Sequence, residues 1–145
     1  MAEDTEALTV IELTYRLVRS LVEDVRAHVS EVADLELGEF VLLRAIASGT
    51  TSPGALSREL SSHPAATSRT LTRLRRAGLI ARRPDPADSR RTEITLTDHG
   101  RAVTARIAAH IRPHLRRRLD RLPPGEASRL IETLGRLLTE HPARP

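Results

Sequence analysis

Two helix starts lie eleven residues apart in the middle of this 145-residue chain, and together they constrain its fold. Ser52 offers a side-chain oxygen that can cap free backbone N–H groups, and Pro53 follows it at the first helical position, where no N–H bond is missed. Pro64 is placed in the same way after a polar break at 61–63, and this second helix ends at Gly78, a natural C-terminal cap. The sequence therefore predicts two short helices joined by a tight polar turn.

A β-hairpin is predicted directly after the second of these helices. Thr92, Ile94 and Leu96 alternate with polar or charged neighbours, which is the period of a strand. The segments 80–83 and 91–97 flank a stretch rich in Pro and Asp, and these residues favour a loop. The pattern indicates a hairpin with arginines at the edge of its tip.

Longer amphipathic helices are predicted on both sides of this central region. The first carries apolar residues at alternating steps of three and four between Leu8 and Val32, a heptad-like seam suited to packing along another helix. A short, mostly buried helix covers 37–47, Thr97 caps a long helix that Pro113 should bend, and a last helix has one apolar face. The apolar positions of that last helix are Leu130, Ile131, Leu134, Leu137 and Leu138.

This order of elements predicts a fold class and a division of the chain. We expect a mainly α protein with a small β-hairpin wing, that is, a winged helix-turn-helix flanked by N- and C-terminal dimerisation helices. The predicted divisions are an N-terminal dimerisation helix at 1–36, a winged helix-turn-helix DNA-binding domain at 37–99 and C-terminal dimerisation helices at 100–145. A homodimer is expected because the flanking apolar faces exceed what a minimal winged helix needs.

Charge is distributed unevenly along the chain, and this pattern favours nucleic-acid binding. Residues 1–52 carry a net charge of −6, whereas 53–101 hold ten Arg against five acidic residues and 102–145 carry +5. A basic central block is the electrostatic footprint of a nucleic-acid-binding protein. The sequence has no Cys, no apolar run long enough for a membrane span and an acidic start unlike a signal peptide. We therefore expect a cytoplasmic protein without membrane contact.

The second helix of the central pair has one face suited to a DNA major groove. With Leu71 and Leu74 directed inward, the opposite face carries small residues and arginines. We predict that Arg69 makes a bidentate guanine contact, that Ser68 or Thr72 meets bases or phosphates, and that arginines nearer the helix end hold phosphates. The alternative is that these arginines only solvate an exposed helix. The predicted recognition-helix residues are Ala65, Ser68, Arg69, Thr72, Arg73 and Arg76.

Three short motifs stand in register around the predicted turn and wing. They are the stretch at 70–82, Asp88-Ser89-Arg90, and Leu96-Thr97-Asp98-His99-Gly100. Together they resemble the L-x-x-x-G-L-[IV]-x-R, D-x-R and L-T-x-x-G signatures of the MarR family of winged-helix transcriptional regulators, and the flanking helices extend the resemblance over nearly the whole chain. The resemblance implies a dimeric regulator, usually a repressor, that binds a pseudo-palindromic DNA operator and is released by a small-molecule effector.

The same resemblance assigns roles to residues of the wing. In similar proteins the D-x-R arginine enters the minor groove beside the recognition helix while the aspartate helps to orient it, which gives these roles to Arg90 and Asp88. Arg91 lies beside them at the edge of the loop. A narrow minor groove concentrates negative potential and attracts Arg. The alternative is a surface salt bridge of little energetic value.

No other group of residues in the sequence indicates a catalytic or metal-binding site. The chain has no Gly-rich phosphate loop, nucleophile elbow or H-E-x-x-H motif, so we expect no enzyme, no catalytic residues and no cofactor. His110 and His114 are four apart and can share a helix face. No Cys or Glu stands between them, and Pro113 disturbs the local helix, so we interpret them as solvated histidines and predict no metal. The effector and its pocket residues are not predictable.

One departure from the family pattern and two rival functions stay open. Ser62, Thr67 and Thr70 stand where relatives commonly carry apolar residues, which leaves the anchoring of the second helix in question. The main rival is a nonspecific architectural DNA-binding protein that uses the same arginines solely on phosphates. The other is a helical interaction module whose wing contacts protein.

Overall fold

The computed structural model describes residues 2–139, with side chains from residue 5 onward. Its elements follow the predicted order, so the mainly α class with a two-stranded wing is confirmed. The helices are α1 (Ala2–Val32), α2 (Leu37–Ala47), α3 (Pro53–Glu59), α4 (Pro64–Arg76), α5 (Asp98–Leu119) and α6 (Glu126–Thr139), and the strands are β1 (Ile80–Pro84) and β2 (Thr92–Leu96).

Capping side chains start both helices of the central pair. Ser52 Oγ accepts a hydrogen bond from the Ala55 N–H at 3.2 Å, as a cap before proline predicts. At the start of α4 the cap is an imidazole, because His63 Nδ1 accepts from the Ala65 N–H at 3.2 Å. The leucines of these two helices that have no exposed surface are Leu56, Leu71 and Leu74.

Strands β1 and β2 pair antiparallel from Ile80 opposite Leu96 to Pro84 opposite Thr92. The predicted strands are therefore shifted by one residue at the tip, where β1 includes Pro84 and β2 begins after Arg91. The Ile94 N–H also donates to the Thr51 carbonyl at 2.7 Å, a single backbone hydrogen bond that ties β2 to the segment before α3. The buried Ile94 in the middle of β2 thus connects the wing to the helical part.

Helix α1 uses only the C-terminal part of its apolar seam within the chain. Val25 and Val29 are 4% and 0% exposed and belong to the core. Towards the N-terminus, Leu8, Ile11 and Tyr15 are all at least 65% exposed. The predicted seam is therefore real, but its first half has no covering partner among the described residues.

The chain divides into two compact units, residues 1–111 and residues 112–145. The first unit contains α1 together with the complete helix-turn-helix and wing. The second contains α6, in which no residue is buried. The functional division at 36 and 99 stays a prediction, as does the bend at Pro113, and residues 140–145 lie outside the described part. None of the described helices has the length and apolarity required to cross a membrane.

Candidate nucleic-acid interface

Helix α4 presents the predicted recognition face on its outer side. Thr67, Leu71 and Leu74 form its buried side. The residues on the opposite side of the helix are therefore directed outward. Five of the six predicted residues line one shallow concavity of about 350 Å³ on this outer side. They are Ser68, Arg69, Thr72, Arg73 and Arg76. The sixth, Ala65, is exposed in the first turn of the helix.

Not every polar group on this face is equally available to a ligand. Thr72 is half-buried and its Oγ1 donates to the Ser68 carbonyl at 3.0 Å, so its donor is used within the helix. Arg69 and Arg76 are exposed, and no ion pair holds either guanidinium within the described part of the chain. These two arginines are the groups of the concavity that are most available to an anionic ligand.

Arg73 differs from its neighbours because it is already paired. Its Nη2 lies 2.6 Å from Oε2 of Glu39, a carboxylate on α2 that is only 5% exposed. The same Glu39 oxygen accepts the Glu36 N–H at 2.9 Å, which completes a capping box at the start of α2. Arg73 therefore joins α4 to α2, and any phosphate contact of Arg73 competes with this ion pair.

The wing loop organises its arginines through one aspartate. Asp88 Oδ1 accepts the backbone N–H of Arg90 at 3.0 Å, and its Oδ2 lies 3.8 Å from Nε of Arg91. Asp88 thus shapes the backbone that carries Arg90, while its ion pair is with Arg91. All three side chains are exposed. A surface pair of this kind contributes little to stability, so the loop geometry is its main effect.

The L-T-x-x-G motif joins the end of α4 to the start of α5. Thr97 Oγ1 donates to the Gly78 carbonyl at 2.6 Å and accepts the Gly100 N–H at 2.9 Å, so one hydroxyl closes α4 and caps α5. A Cβ on Gly100 would lie 1.9 Å from the Leu79 carbonyl oxygen, which excludes any side chain there. The motif therefore determines how the chain passes from α4 into the wing and from the wing into α5.

Comparison with known proteins identifies the family. A model described as MarR family matches residues 33–91. The HTH-type transcriptional repressor Rv2887 of Mycobacterium tuberculosis is 37% identical over 130 residues, which cover 85% of this chain and 91% of that protein. The chain belongs to the MarR family. The resemblance of the three sequence motifs is thereby confirmed.

Solved MarR-type structures share the fold. A mutant MarR from E. coli complexed with operator DNA has a TM-score of 0.77 at 24% identity, covering 92% of this chain and 96% of that one. CouR from Rhodococcus jostii RHA1, bound to p-coumaroyl-CoA, has a TM-score of 0.81 at 17% identity, covering 91% and 93%. At these identities the likeness concerns the fold of this MarR-family chain and not its ligands.

Sequence reasoning missed Glu39, the partner of Arg73 in this MarR-family chain. A signal was present, because Glu36 and Glu39 stand three apart just before an apolar run, the spacing of a capping box. That spacing predicts the cap but not the ion pair, since Arg73 is 34 residues away along the chain. The site residues that were predicted all lie in the unit 1–111.

Proposed function

We propose that this MarR-family protein is a sequence-specific double-stranded DNA-binding repressor of transcription. The observation that carries the proposal is the arginine-lined concavity on α4, which includes the exposed Arg69, on the side of the helix away from its buried leucines. Arginine reads guanine edges in the major groove, and the positive charge of the central block favours phosphate contact. The operator-bound MarR structure supports the same use of this fold. The protein acts in the cytoplasm and is not an enzyme.

Exposed apolar faces support a homodimer. Leu8 and Ile11 of α1 are 68% and 67% exposed, and Ile131 and Leu138 of α6 are 66% and 67% exposed. An exposed apolar face of this kind, present on each of the two helices separately, marks an interaction site. In the dimer, two recognition helices related by a two-fold axis read half-sites of a pseudo-palindrome about 34 Å apart or a multiple of that. Sedimentation is expected to give twice the 16.0 kDa chain mass.

A groove of about 1230 Å³ in the unit 1–111 is our proposed effector pocket. It is lined by residues of α1, by Glu39 and Leu42 of α2, and by Thr67, Thr70 and Arg73 on the recognition helix. A ligand shifts DNA binding only if it binds the DNA-competent and incompetent states unequally. A molecule in this groove would meet that condition by binding more tightly to the state in which the Glu39–Arg73 pair is broken.

The DNA-binding proposal is tested by competition binding. The operator is first identified among fragments of the source genome that the wild-type protein binds. The preference of the protein for this operator over scrambled DNA is then measured across a salt series. Arg69→Ala is expected to lower that preference about tenfold or more, since a bidentate base contact contributes about 1–3 kcal/mol of discrimination. Arg90→Ala is expected to weaken binding chiefly through the flank that the wing contacts. Arg106→Ala, an exposed arginine on α5, is the matched control and should behave as wild type.

The rival functions give different results in the same assay. An architectural binder shows a salt-dependent affinity without preference for one sequence, and an interaction module shows neither. If Arg69→Ala and Arg90→Ala both bind the operator like wild type, the assigned interface is wrong.

The effector groove is tested by blocking it. Small aromatic carboxylates and their acyl thioesters are screened for release of the wild-type protein from its operator. Ser30→Trp fills the α1 side of the groove and is expected to abolish release by any active compound while operator affinity stays within about twofold of wild type. Release that persists in Ser30→Trp would place the effector elsewhere.

A further inference from the structure

Three potential metal ligands meet where α1 and α5 approach each other within the unit 1–111. His28 and Glu31 are three residues apart on α1, and His110 belongs to α5. Their ligand atoms all lie within 4.8 Å of one another. His110 Nε2 lies 2.9 Å from Glu31 Oε2, and the two imidazole rings meet edge to face with centroids 5.1 Å apart.

Buried neighbours on both helices hold these ligands in place. Val25 and Val29 on α1 and Ile107 and Ile111 on α5 are at most 5% exposed, so the backbone beneath the cluster is part of the core. The cluster itself is half open. His28 Nδ1 is buried, whereas the side chains of His110 and Glu31 are 40% and 63% exposed. An ion can therefore reach ligands whose backbone is fixed.

The ligand set matches a particular class of ion. Two imidazole nitrogens and one carboxylate oxygen, in a chain without Cys, suit zinc and the neighbouring divalent first-row metals. We propose that His28, Glu31 and His110 bind one such ion, with Zn²⁺ the ion that fits best. Zinc bonds of about 2.0–2.2 Å place tetrahedral ligands roughly 3.3–3.6 Å apart, so ligand atoms that now lie within 4.8 Å of one another must shift by about 1 Å through side-chain rotation.

The ion would replace the hydrogen bond between His110 Nε2 and Glu31 Oε2. Metal ions bind imidazole nitrogen and carboxylate oxygen in their unprotonated forms, so protons compete with the ion at each ligand. Three protein ligands leave a fourth coordination position for water or a small molecule, as in open zinc sites. The bound ion links α1 to α5 across 79 residues of sequence.

This site differs from the pair of His110 and His114, which we interpreted from the sequence as solvated histidines without a metal. His114 lies in the unit 112–145, where its Nδ1 is 2.7 Å from Nη2 of Arg117. The three proposed ligands all belong to the unit 1–111, and two of them lie on a helix far away in sequence. His114 is therefore a suitable control residue for the test.

The test is a zinc titration of the full-length protein. Bound metal is first removed with a chelator, and zinc is then added in competition with a chromogenic chelator. The wild type is expected to bind one Zn²⁺ per chain. His28→Gln, Glu31→Gln and His110→Gln are each expected to weaken binding at least tenfold, because each removes one of three ligands. His114→Gln and His63→Gln should bind as wild type. Circular dichroism of the metal-free variants identifies any that fail to fold. The zinc affinities of the folded variants then test the proposed ligands.

A second measurement does not depend on the variants. Co²⁺ added to the stripped wild type is expected to give the visible d–d absorption of a four- or five-coordinate site, and Zn²⁺ should displace it. The proposal would be overturned by binding of less than one Zn²⁺ per chain or by an octahedral Co²⁺ spectrum. It would also be overturned if the three ligand variants bound zinc as wild type, or if His114→Gln lost as much affinity as they do. No DNA is present in either measurement, so the outcome is independent of the proposed repressor function.

Discussion

Helices α4 and α6 are both strongly amphipathic, yet they use their apolar faces in opposite ways. In α4, Leu71 and Leu74 have no exposed surface and the arginines point outward. In α6, every apolar side chain on the face is exposed, from 38% at Leu130 to 67% at Leu138. The apolar face of α4 is covered by other parts of the chain, whereas that of α6 is left exposed by residues 2–139.

This difference bears on what each helix can bind. Full burial of a leucine contributes about 1.5–3 kcal/mol relative to exposure, so an uncovered leucine face favours association with another apolar surface. The leucine face of α4 is already buried, and its outer, arginine-bearing face is available for a polar, negatively charged partner. This difference agrees with the proposed DNA contact of α4 and with the proposed homodimer contact of α6.

A pair of glycine substitutions should separate the two regions most strongly. Gly100→Ala forces a Cβ against the Leu79 carbonyl oxygen beside the end of α4, and we expect the free energy of unfolding to fall by about 3–5 kcal/mol. Gly135→Ala in α6 meets no atom within 4 Å and should raise it by about 0.5–1 kcal/mol through helix propensity. Urea unfolding monitored by circular dichroism measures both. Similar effects of the two substitutions would contradict the comparison.

A leucine pair tests whether the two apolar faces have different partners. Leu74→Ala opens a cavity in the core and should cost about 3 kcal/mol in unfolding free energy at any protein concentration. Leu134→Ala removes an exposed side chain of α6, so its effect should appear as a dimer that dissociates at least tenfold more readily. Sedimentation at several concentrations, beside urea unfolding, distinguishes the two. An unchanged dimer in Leu134→Ala would exclude this face of α6 from the interface.

Local signals in the sequence predicted the elements and most of the candidate interface. The helix starts at Ser52 and Pro64, the stop at Gly78 and the alternation around Ile94 each depend on a few neighbouring residues. The outward face of α4 follows from the same kind of information, because the two buried leucines determine the rotation of the helix. These predictions needed no knowledge of distant contacts.

Side-chain contacts between distant segments of the chain could not be predicted from the sequence. Arg73 and Glu39 are 34 residues apart, and His110 and Glu31 are 79 apart. Helical spacing showed His110 beside His114 and gave no reason to look to α1. Likewise, periodicity made α4 and α6 look alike, because a pattern within one helix does not reveal which surface covers it.

The ion pair between Arg73 and Glu39 gives a prediction of intermediate size. Arg73 is 56% exposed at its side chain, so solvent screens the pair, while Glu39 is nearly buried and loses its charged partner if Arg73 is removed. We expect a double-mutant cycle of Glu39→Gln and Arg73→Ala to give a coupling of about 1–2 kcal/mol in unfolding free energy. Additive effects would show that the pair does not anchor α4 to α2.

The smallest expected effect concerns how completely α4 buries its inner face. Thr67 is 3% exposed and its Oγ1 makes no hydrogen bond to any described residue, whereas the buried Thr104 on α5 donates to the Gly100 carbonyl at 2.7 Å. A buried hydroxyl without a partner costs free energy, so Thr67→Val should raise the free energy of unfolding by about 0.5–1 kcal/mol and Thr104→Val should lower it by a similar amount. Urea unfolding of the two variants measures the signs. Because Thr67 faces away from the arginine concavity, its replacement should leave operator preference unchanged, and a loss of preference would mean that the inner face of α4 also sets the position of Arg69.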